Sequence, residues 1–458
     1  MAPKFKSYEF WEHVLKSPKY VVAPMVDQSE LPWRLLSRRY GAELCYTPMI
    51  HAGLFVKDSY YRKEAFHTCD EDRPLIVQFC SNDPETFLKA AQLVEPYCDG
   101  VDLNLGCPQI IAKRGNYGAF LQDKWELIAS MVSLLNEKLM IPVTCKIRVF
   151  EDLEKTVKYA KMLEKAGCQI LTVHGRTRDQ KGPNTGLANW DIIKAIKENV
   201  SIPVFANGNI RYLQDVEQCM AYSGVDGVMT AEGNLSNPAL FSGKHPPVWQ
   251  MSDEYMALVD KHPCPLSHIR GHLFRLWRII LDRNKDMRDI LGTAKSIKEM
   301  KEICSTLKDR TLKDIEENGE PESTVLPYWK CQPYIRANSG IKRTLDEVRE
   351  DEERHQEVIK MRKMRKAIKK EKVRARRERT WDICTKCEVN PKGLKCLFNL
   401  CRVCCRDRKT TAFTQHCPGH RVRGVRLNED YQPLKETSNG LEVKHDDETV
   451  KTKHESAS

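Results

Sequence analysis

The chain has 458 residues, 41% of them hydrophobic and 30% charged, which is too long for one ordinary domain and too polar for a membrane protein. Residues 1–6 lead into no apolar segment, and no stretch nears the roughly 18 uninterrupted apolar residues of a membrane span, so neither secretion nor membrane insertion is expected. The formal net charge of +11 is uneven: residues 1–241 carry 28 Lys and Arg against 29 Asp and Glu, leaving 46 against 34 for the remainder. A folded core needs no such excess, whereas a polyanion rewards each cation by releasing counterions, so nucleic acid is the partner this asymmetry predicts.

Eight short apolar, β-branched runs recur over 20–23, 44–47, 75–79, 101–105, 143–147, 170–173, 204–206 and 227–230. Between most of them apolar residues return at helical intervals, over 84–97, 124–139, 153–166, 190–199 and 212–222. Alternating strands and helices pair in parallel. Eight such units fit a closed (β/α)8 TIM barrel over 1–241 better than an open doubly wound sheet, and no G-x-G-x-x-G follows the first run.

Barrel chemistry sits at the carboxyl ends of the strands. The third run ends near Gln78, the fourth leads into Asn104-Leu105-Gly106-Cys107-Pro108, and the fifth carries Lys146-Ile147-Arg148. The sixth gives His174-Gly175-Arg176-Thr177-Arg178, and the seventh Asn207-Gly208-Asn209. Each has a plain structural explanation. Cys107 could be a small core hydrophobe, although its place between Gly106 and Pro108 is a loop. Lys146 could snorkel to the surface and His174 could be structural, while Asn207-Gly208-Asn209 could be a turn or a nest of amides for phosphate. Together they gather a thiol, an amide, an imidazole and several cations at one end of the barrel.

Prolines near 243–247 and 262–265 punctuate the start of a helical domain over 242–343. Helices are predicted over 269–282 and 290–307, with Leu273, Leu276, Trp277, Ile280, Ile297, Met300 and Ile303 on one side. Arg270, Arg275, Arg278, Lys295, Lys298 and Lys301 lie between them, as a plain solvent face or a docking surface for RNA. Residues 344–380 are charge-dense, a long exposed helix or a disordered arm; their run 360–379 holds twelve basic residues and two acidic ones. That run reads as a solvated face, a nuclear-import signal or a nucleic-acid contact.

Eleven of the 18 cysteines are scattered before residue 380, and seven crowd between Cys384 and Cys417. This split suggests reduced core thiols, a reducing compartment such as cytoplasm or nucleus, and a local metal site. Cys384-x2-Cys387, Cys396, Cys401-x2-Cys404-Cys405 and His416-Cys417-x2-His420 offer nine candidate zinc ligands within a module over 381–425. They suffice for one site or two, and spacing leaves the pairing open. A polar tail over 426–458 follows, and oligomeric state is not legible.

Ala23-Pro24-Met25, Asn104-x-Gly106-Cys107-Pro108, Gly118-Ala119-x-Leu121, Lys146-x-Arg148, His174-Gly175-Arg176-Thr177 and Asn207-Gly208-x-Ile210 make the chain resemble the flavin-dependent tRNA-dihydrouridine synthases. Within that family it is most similar to the eukaryotic class acting on positions 16 and 17 of the tRNA D-loop. The resemblance covers roughly 20–241 and, more loosely, the helices after 263. It implies an FMN-bearing barrel that reduces the C5=C6 bond of uracil in tRNA, with NADPH or NADH reducing the flavin. It puts the flavin against Pro24, Met25 and Val26, with Gln78 on its polar edge, Lys146 near the N1/O2 side and His174 on flavin or phosphate. The phosphate falls to the backbone of Asn207, Gly208, Asn209, Ala231 and Glu232. Cys107 becomes the proton donor to C5, Asn104 orients the base, and Arg148, Arg176 and Arg178 meet flavin or RNA phosphates. One departure matters: Ala231-Glu232 stands where many relatives carry Gly-Arg, so either Glu232 points away or the phosphate is held less firmly. An FMN reductase of free pyrimidines and a non-catalytic RNA-binding protein with a retained barrel are the competing readings.

Overall fold

The computed structural model describes residues 5–319, 326–334, 382–393, 395–407, 417 and 420. Eight parallel strands form the barrel: β1 (Tyr20–Val22), β2 (Leu44–Tyr46), β3 (Leu75–Cys80), β4 (Gly100–Leu105), β5 (Val143–Val149), β6 (Leu171–Thr177), β7 (Val204–Asn207) and β8 (Gly227–Thr230). Their spatial order is β2-β1-β8-β7-β6-β5-β4-β3, and β2 pairs back onto β3 through Cys45 opposite Leu75. The sheet is therefore closed, with a two-residue strand, Ile50–His51, added at the end of β3. Pro142 and Pro203 precede β5 and β7, and each offers its carbonyl to a neighbouring strand, at 3.0 Å from Val101 N and Leu171 N. Proline suits these first positions because its missing N–H is not needed there.

The helices expected between strands are present at Pro84–Val94, Trp125–Lys138, Leu153–Lys165, Trp190–Lys197 and Leu213–Ser223. Asp83, Asp152 and Asn189 cap three of them through their side chains. The helix α1 (Leu31–Arg39) was not expected, and its pattern explains why. Residues 31–37 are all buried, Arg34 and Ser37 among them, so its polar residues do not mark out a solvent face. β6 also runs beyond the expected 173, placing His174 to Thr177 on the strand itself.

After the barrel come α2 (Val248–Lys261), α3 (Leu266–Leu276), α4 (Arg278–Arg283), α5 (Lys285–Thr293) and α6 (Ile297–Asn318). The helix expected over 269–282 breaks at Trp277. The one expected over 290–307 is interrupted where Ser296 caps α6, its hydroxyl accepting from Glu299 N at 3.2 Å. α2 was missed because its prolines read as punctuation, although Pro247 is its N-terminal cap. One cation of this array turns inward, Arg270, which donates to the carbonyls of Leu291 and Ala294, whereas Lys301 pairs with Asp260 at the surface, at 2.5 Å. No helix among the described residues is long and apolar enough to cross a membrane.

Contacts divide the chain after residue 341 into two units. In the first, α1 is shared: Leu31, Trp33, Leu35 and Leu36 join a core built from the helices after the barrel. At its centre Glu30 accepts from Tyr255 at 2.7 Å and pairs with the ring of buried His272 at 3.0 Å, while Trp33 stacks on His272 at 3.8 Å. Burial pushes the Glu30 carboxyl up, but the His272 charge and the hydrogen bonds from His272 and Tyr255 outweigh it and hold the group below its ordinary value. The second unit contains the cysteine-rich residues. The basic run 360–379, the rest of 344–380, His416 and the tail from 426 lie outside the described residues.

Replacing Glu30 by Ala leaves His272 and Tyr255 buried without their partner. The expected cost is about 3–5 kcal/mol in urea unfolding of the whole chain, with Glu30→Gln milder because it keeps an acceptor for Tyr255.

Candidate active site

The carboxyl ends of β4 to β7 bring the polar residues into register. Asn104 lies beside Lys146, Arg148 beside His174, and His174 beside Asn207. Lys146 is nine-tenths buried, and its one hydrogen bond among the described residues goes from Nζ to Asn207 Oδ1 at 2.9 Å. Asn207 is held in turn by Nδ2 donating to the Met229 carbonyl at 2.8 Å. Burial, helped by neighbouring Arg148, brings the Lys146 ammonium down to about 8. Burial and the three nearby cations Lys146, Arg148 and Arg176 push His174 well below its ordinary value, so its ring is neutral. Arg176 can only donate, so the 3.1 Å contact makes His174 Nε2 an acceptor and leaves the proton on Nδ1.

A chain of buried hydrogen bonds reaches the thiol. Asp102 on β4 accepts from Thr144 Oγ1 at 2.7 Å and from Gln78 Nε2 at 2.8 Å. Gln78 Oε1 accepts from Asn104 Nδ2 at 2.8 Å, and Asn104 Oδ1 accepts the backbone N–H of Gly106 at 3.2 Å and of Cys107 at 2.9 Å. Gln78 and Asn104, expected at the flavin edge and the base, are joined here to each other and to the Cys107 loop, and each amide has a second N–H beyond these bonds. Arg148 braces the same loop, Nε to the Gly106 carbonyl at 3.0 Å and Nη1 to those of Thr177 and Gln180 at 2.7 and 3.0 Å. Below the loop Gly118 sits at φ +64°, and a Cβ there would meet the Cys107 carbonyl oxygen at 2.8 Å. Cys107 itself is half-buried, and burial raises its thiol despite the opposing pull of Arg148, Lys146 and Lys181.

Two of these parts escaped the sequence reading. Asp102 is fully buried and, through burial, raised to about 6; its signal was a carboxylate two residues before Asn104 in an otherwise apolar strand. Lys181 donates to the Pro108 carbonyl at 3.0 Å and lies over Phe120, beside Arg178, which reaches Asp123 at 3.5 Å. Arg178 is therefore at the rim, whereas Arg176 is drawn inward to the Gly186 carbonyl and to Asn209 Oδ1 at 3.0 Å. Gly208 has φ +115° and Asn209 φ +66°; a Cβ on Gly208 would meet that of Ala188 at 2.6 Å. Ala231 precedes a short helix, Glu232–Ser236, and Glu232 is exposed. Pro24 and Met25 are half-buried after β1, and Val26 is exposed.

The profile of the dihydrouridine synthase family matches residues 21–331. The chain belongs to this family. It is 52% identical over 444 residues, 91% of this chain and 98% of the relative, to the tRNA-dihydrouridine(16/17) synthase [NAD(P)(+)]-like protein of Rattus norvegicus. It is 47% identical to the tRNA-dihydrouridine(16/17) synthase [NAD(P)(+)] of Schizosaccharomyces pombe, over 70% of this chain and 88% of the relative. The tRNA-dihydrouridine(20a/20b) synthase [NAD(P)+]-like protein of Homo sapiens is 40% identical over 60% of this chain and 88% of its own.

The family implies FMN and NAD(P)H, and the residues at the barrel mouth fit an anionic flavin. Lys146, Arg148 and Arg176 converge there around a neutral His174, with Asp102 the carboxylate near Lys146. Lys146 and His174 would face the polar ring, and the backbone of 207–209 and 231–232 the phosphate. The predicted metal ligands fall into two groups, Cys384, Cys387, Cys401 and Cys404, and Cys396, Cys405, Cys417 and His420. Cys404 and Cys405, though adjacent, belong to different groups, which spacing could not decide.

Two outcomes are expected. Asp102→Leu strands the Gln78 amide and loosens the Cys107 loop, lowering turnover about 10²-fold, while Asp102→Asn, able to donate to Thr144 and accept from Gln78, recovers most of it. Lys146 loses its charge as pH rises through about 8 in the unliganded chain, so FMN affinity, read by fluorescence quenching, weakens between pH 7 and 9. In Lys146→Arg that pH dependence disappears.

Proposed function

We propose that this chain reduces uridine to 5,6-dihydrouridine at positions 16 and 17 of the tRNA D-loop, using FMN that NADPH or NADH reduces. The observation that carries the reading is a thiol, Cys107, kept protonated by burial and fixed at the mouth of a cation-lined barrel in a dihydrouridine synthase whose 16/17 relatives match it at 45–52% identity. Held at the barrel mouth by residues such as Lys146 and His174, FMN would, when reduced, supply the hydride for C6 of the uracil.

The chain's own residues supply the proton and the setting. Cys107 holds its proton through neutral pH because burial raises the thiol, so it can give that proton to C5. A nucleophilic cysteine would need the opposite shift. Asn104 and Arg148 keep the sulfur in place from two sides of the loop. Lys146 would stabilise negative charge on a bound flavin, in a site dry enough for that charge to count. Arg178 and Lys181, at the rim, meet RNA phosphates, and the cationic excess of the second half serves the same polyanion.

The test uses purified chain with its flavin. Absorbance bleached by NADPH should return on adding tRNA that lacks dihydrouridine and not on adding free uridine; recovery with free uridine to the same extent favours the small-molecule reading. Cys107→Ala should leave flavin reduction by NADPH intact and slow base reduction at least about 10²-fold. In tRNA from cells lacking the protein, dihydrouridine should vanish at 16 and 17 and persist elsewhere, and loss at another position instead would overturn the assignment.

A further inference from the structure

The cysteine-rich unit is used by none of this chemistry. Its ligand atoms form two sets, each with all members within 4.8 Å of one another: Cys384, Cys387, Cys401 and Cys404, and Cys396, Cys405, Cys417 and His420. We propose that these are two closed zinc sites, one of four thiolates and one of three thiolates and an imidazole, threaded through each other so that metal binding folds this part of the chain.

The spacings are those of a shared central ion. Cys387 Sγ lies 3.9 Å from Cys401 Sγ in the first set, and Cys396 Sγ lies 3.8 Å from both Cys405 and Cys417 in the second. Four sulfurs around zinc with bonds of about 2.3 Å sit roughly 3.8 Å apart, whereas a disulfide would close them to about 2.05 Å. Every one of these cysteines is unbridged. Cys417 Sγ to His420 Nδ1 is 3.7 Å, near the roughly 3.5 Å of a mixed sulfur–nitrogen pair on zinc. Four ligands complete each tetrahedron, so neither site keeps an open position for substrate, and thiolate-rich tetrahedral sets select zinc.

Three donors point at the sulfurs from outside: Lys386 N to Cys384 at 3.4 Å, Cys404 N to Cys401 at 3.5 Å and Asn390 Nδ2 to Cys387 at 3.8 Å. Metal-bound thiolates are held by such outer hydrogen bonds. On binding, the seven cysteines release their protons and His420 binds neutral, so two dications with seven thiolates carry a formal charge of −3. Lys386, Lys395 and Arg402 alternate with the ligands and offset part of it, while Lys392 pairs with Asp382 at 2.8 Å.

The composition of the unit's core makes the metal necessary. Among the described residues its apolar cluster consists of seven cysteines with Leu400 and Phe398. Two ordinary hydrophobes cannot hold so short a piece together, and segments of this size fold with metals or disulfides. The threading couples the sites. Cys396 of the second set lies between the two pairs of the first, and Cys404 and Cys405 are successive residues on the helix Arg402–Asp407 that serve different ions.

Full-length chain, purified without chelator, should carry two zinc ions by elemental analysis and by native mass spectrometry. Cobalt exchanged into the same chain should show tetrahedral d–d bands with thiolate charge transfer. Cys387→Ser and His420→Ala should each lower the count by at least one. Zero or one ion in the unchanged chain, or a mass reduced by disulfide formation among these cysteines, overturns the proposal. Should the variants prove insoluble, the count and the cobalt spectrum of the unchanged chain decide. Neither reading depends on flavin or on tRNA, so failure here is distinct from failure of the proposed reaction.

Discussion

Asp102 is the constraint on which the active site rests. An ionised carboxylate can only accept, so its two oxygens dictate which way Thr144 and Gln78 turn. Gln78, having given its N–H2 end to Asp102, must present its oxygen to Asn104, and Asn104 must then present its oxygen to the backbone of Gly106 and Cys107. One buried charge thus sets the orientation of two amides and the position of a sulfur several bonds away. Every link is inside the barrel or at its rim, where an unmade hydrogen bond costs about 1–3 kcal/mol, so the arrangement has few alternatives.

The thiol and the cations make opposing demands. Lys146, Arg148 and Lys181 all favour a thiolate at Cys107, yet the group ends above its ordinary value because burial is the larger effect. Burial acts the other way on Lys146, bringing a cation down until it titrates just above neutral pH. The same dry surroundings therefore keep the acid protonated and bring the lysine close to neutral pH while leaving it mostly charged there, which suits a site that gives away one proton and receives an anion. His174, driven neutral by burial and its three cationic neighbours, presents an acceptor to Arg176 and adds no further charge.

The helices after the barrel belong to the same compact unit through α1. Trp33 donates to Asn234 at 2.8 Å, next to the expected phosphate loop, and stacks on His272 of α3, while the neighbouring Glu30 joins α2 and α3. The helical surface proposed to meet RNA is in this way tied by buried polar contacts to the loops proposed to hold the flavin. One cation expected on that surface, Arg270, acts as an internal brace instead. In the second unit the analogous structural work falls to sulfur.

Strand and helix periodicity over 20–230 sufficed for the parallel barrel, because each element there buries one face and leaves a repeat of about 2 or 3.6 residues. The cluster of Cys107, Lys146, His174 and Asn207 was legible too, since polar residues ending apolar strands share one rim in that fold. α1 was not, because its polar Arg34 and Ser37 are buried together with its apolar residues. Nor was the hydrogen-bond chain that joins Gln78 to Asn104, because it depends on Asp102 lying opposite. The partition of the cysteines was equally beyond spacing: Cys404 and Cys405 are neighbours in the chain, and only their directions on one helix send them to different centres. Sequence thus determined which chemical groups the protein owns and which elements carry them. Tertiary structure decided which groups touch, because hydrogen bonds and metal geometry depend on directions in space that residue order does not contain.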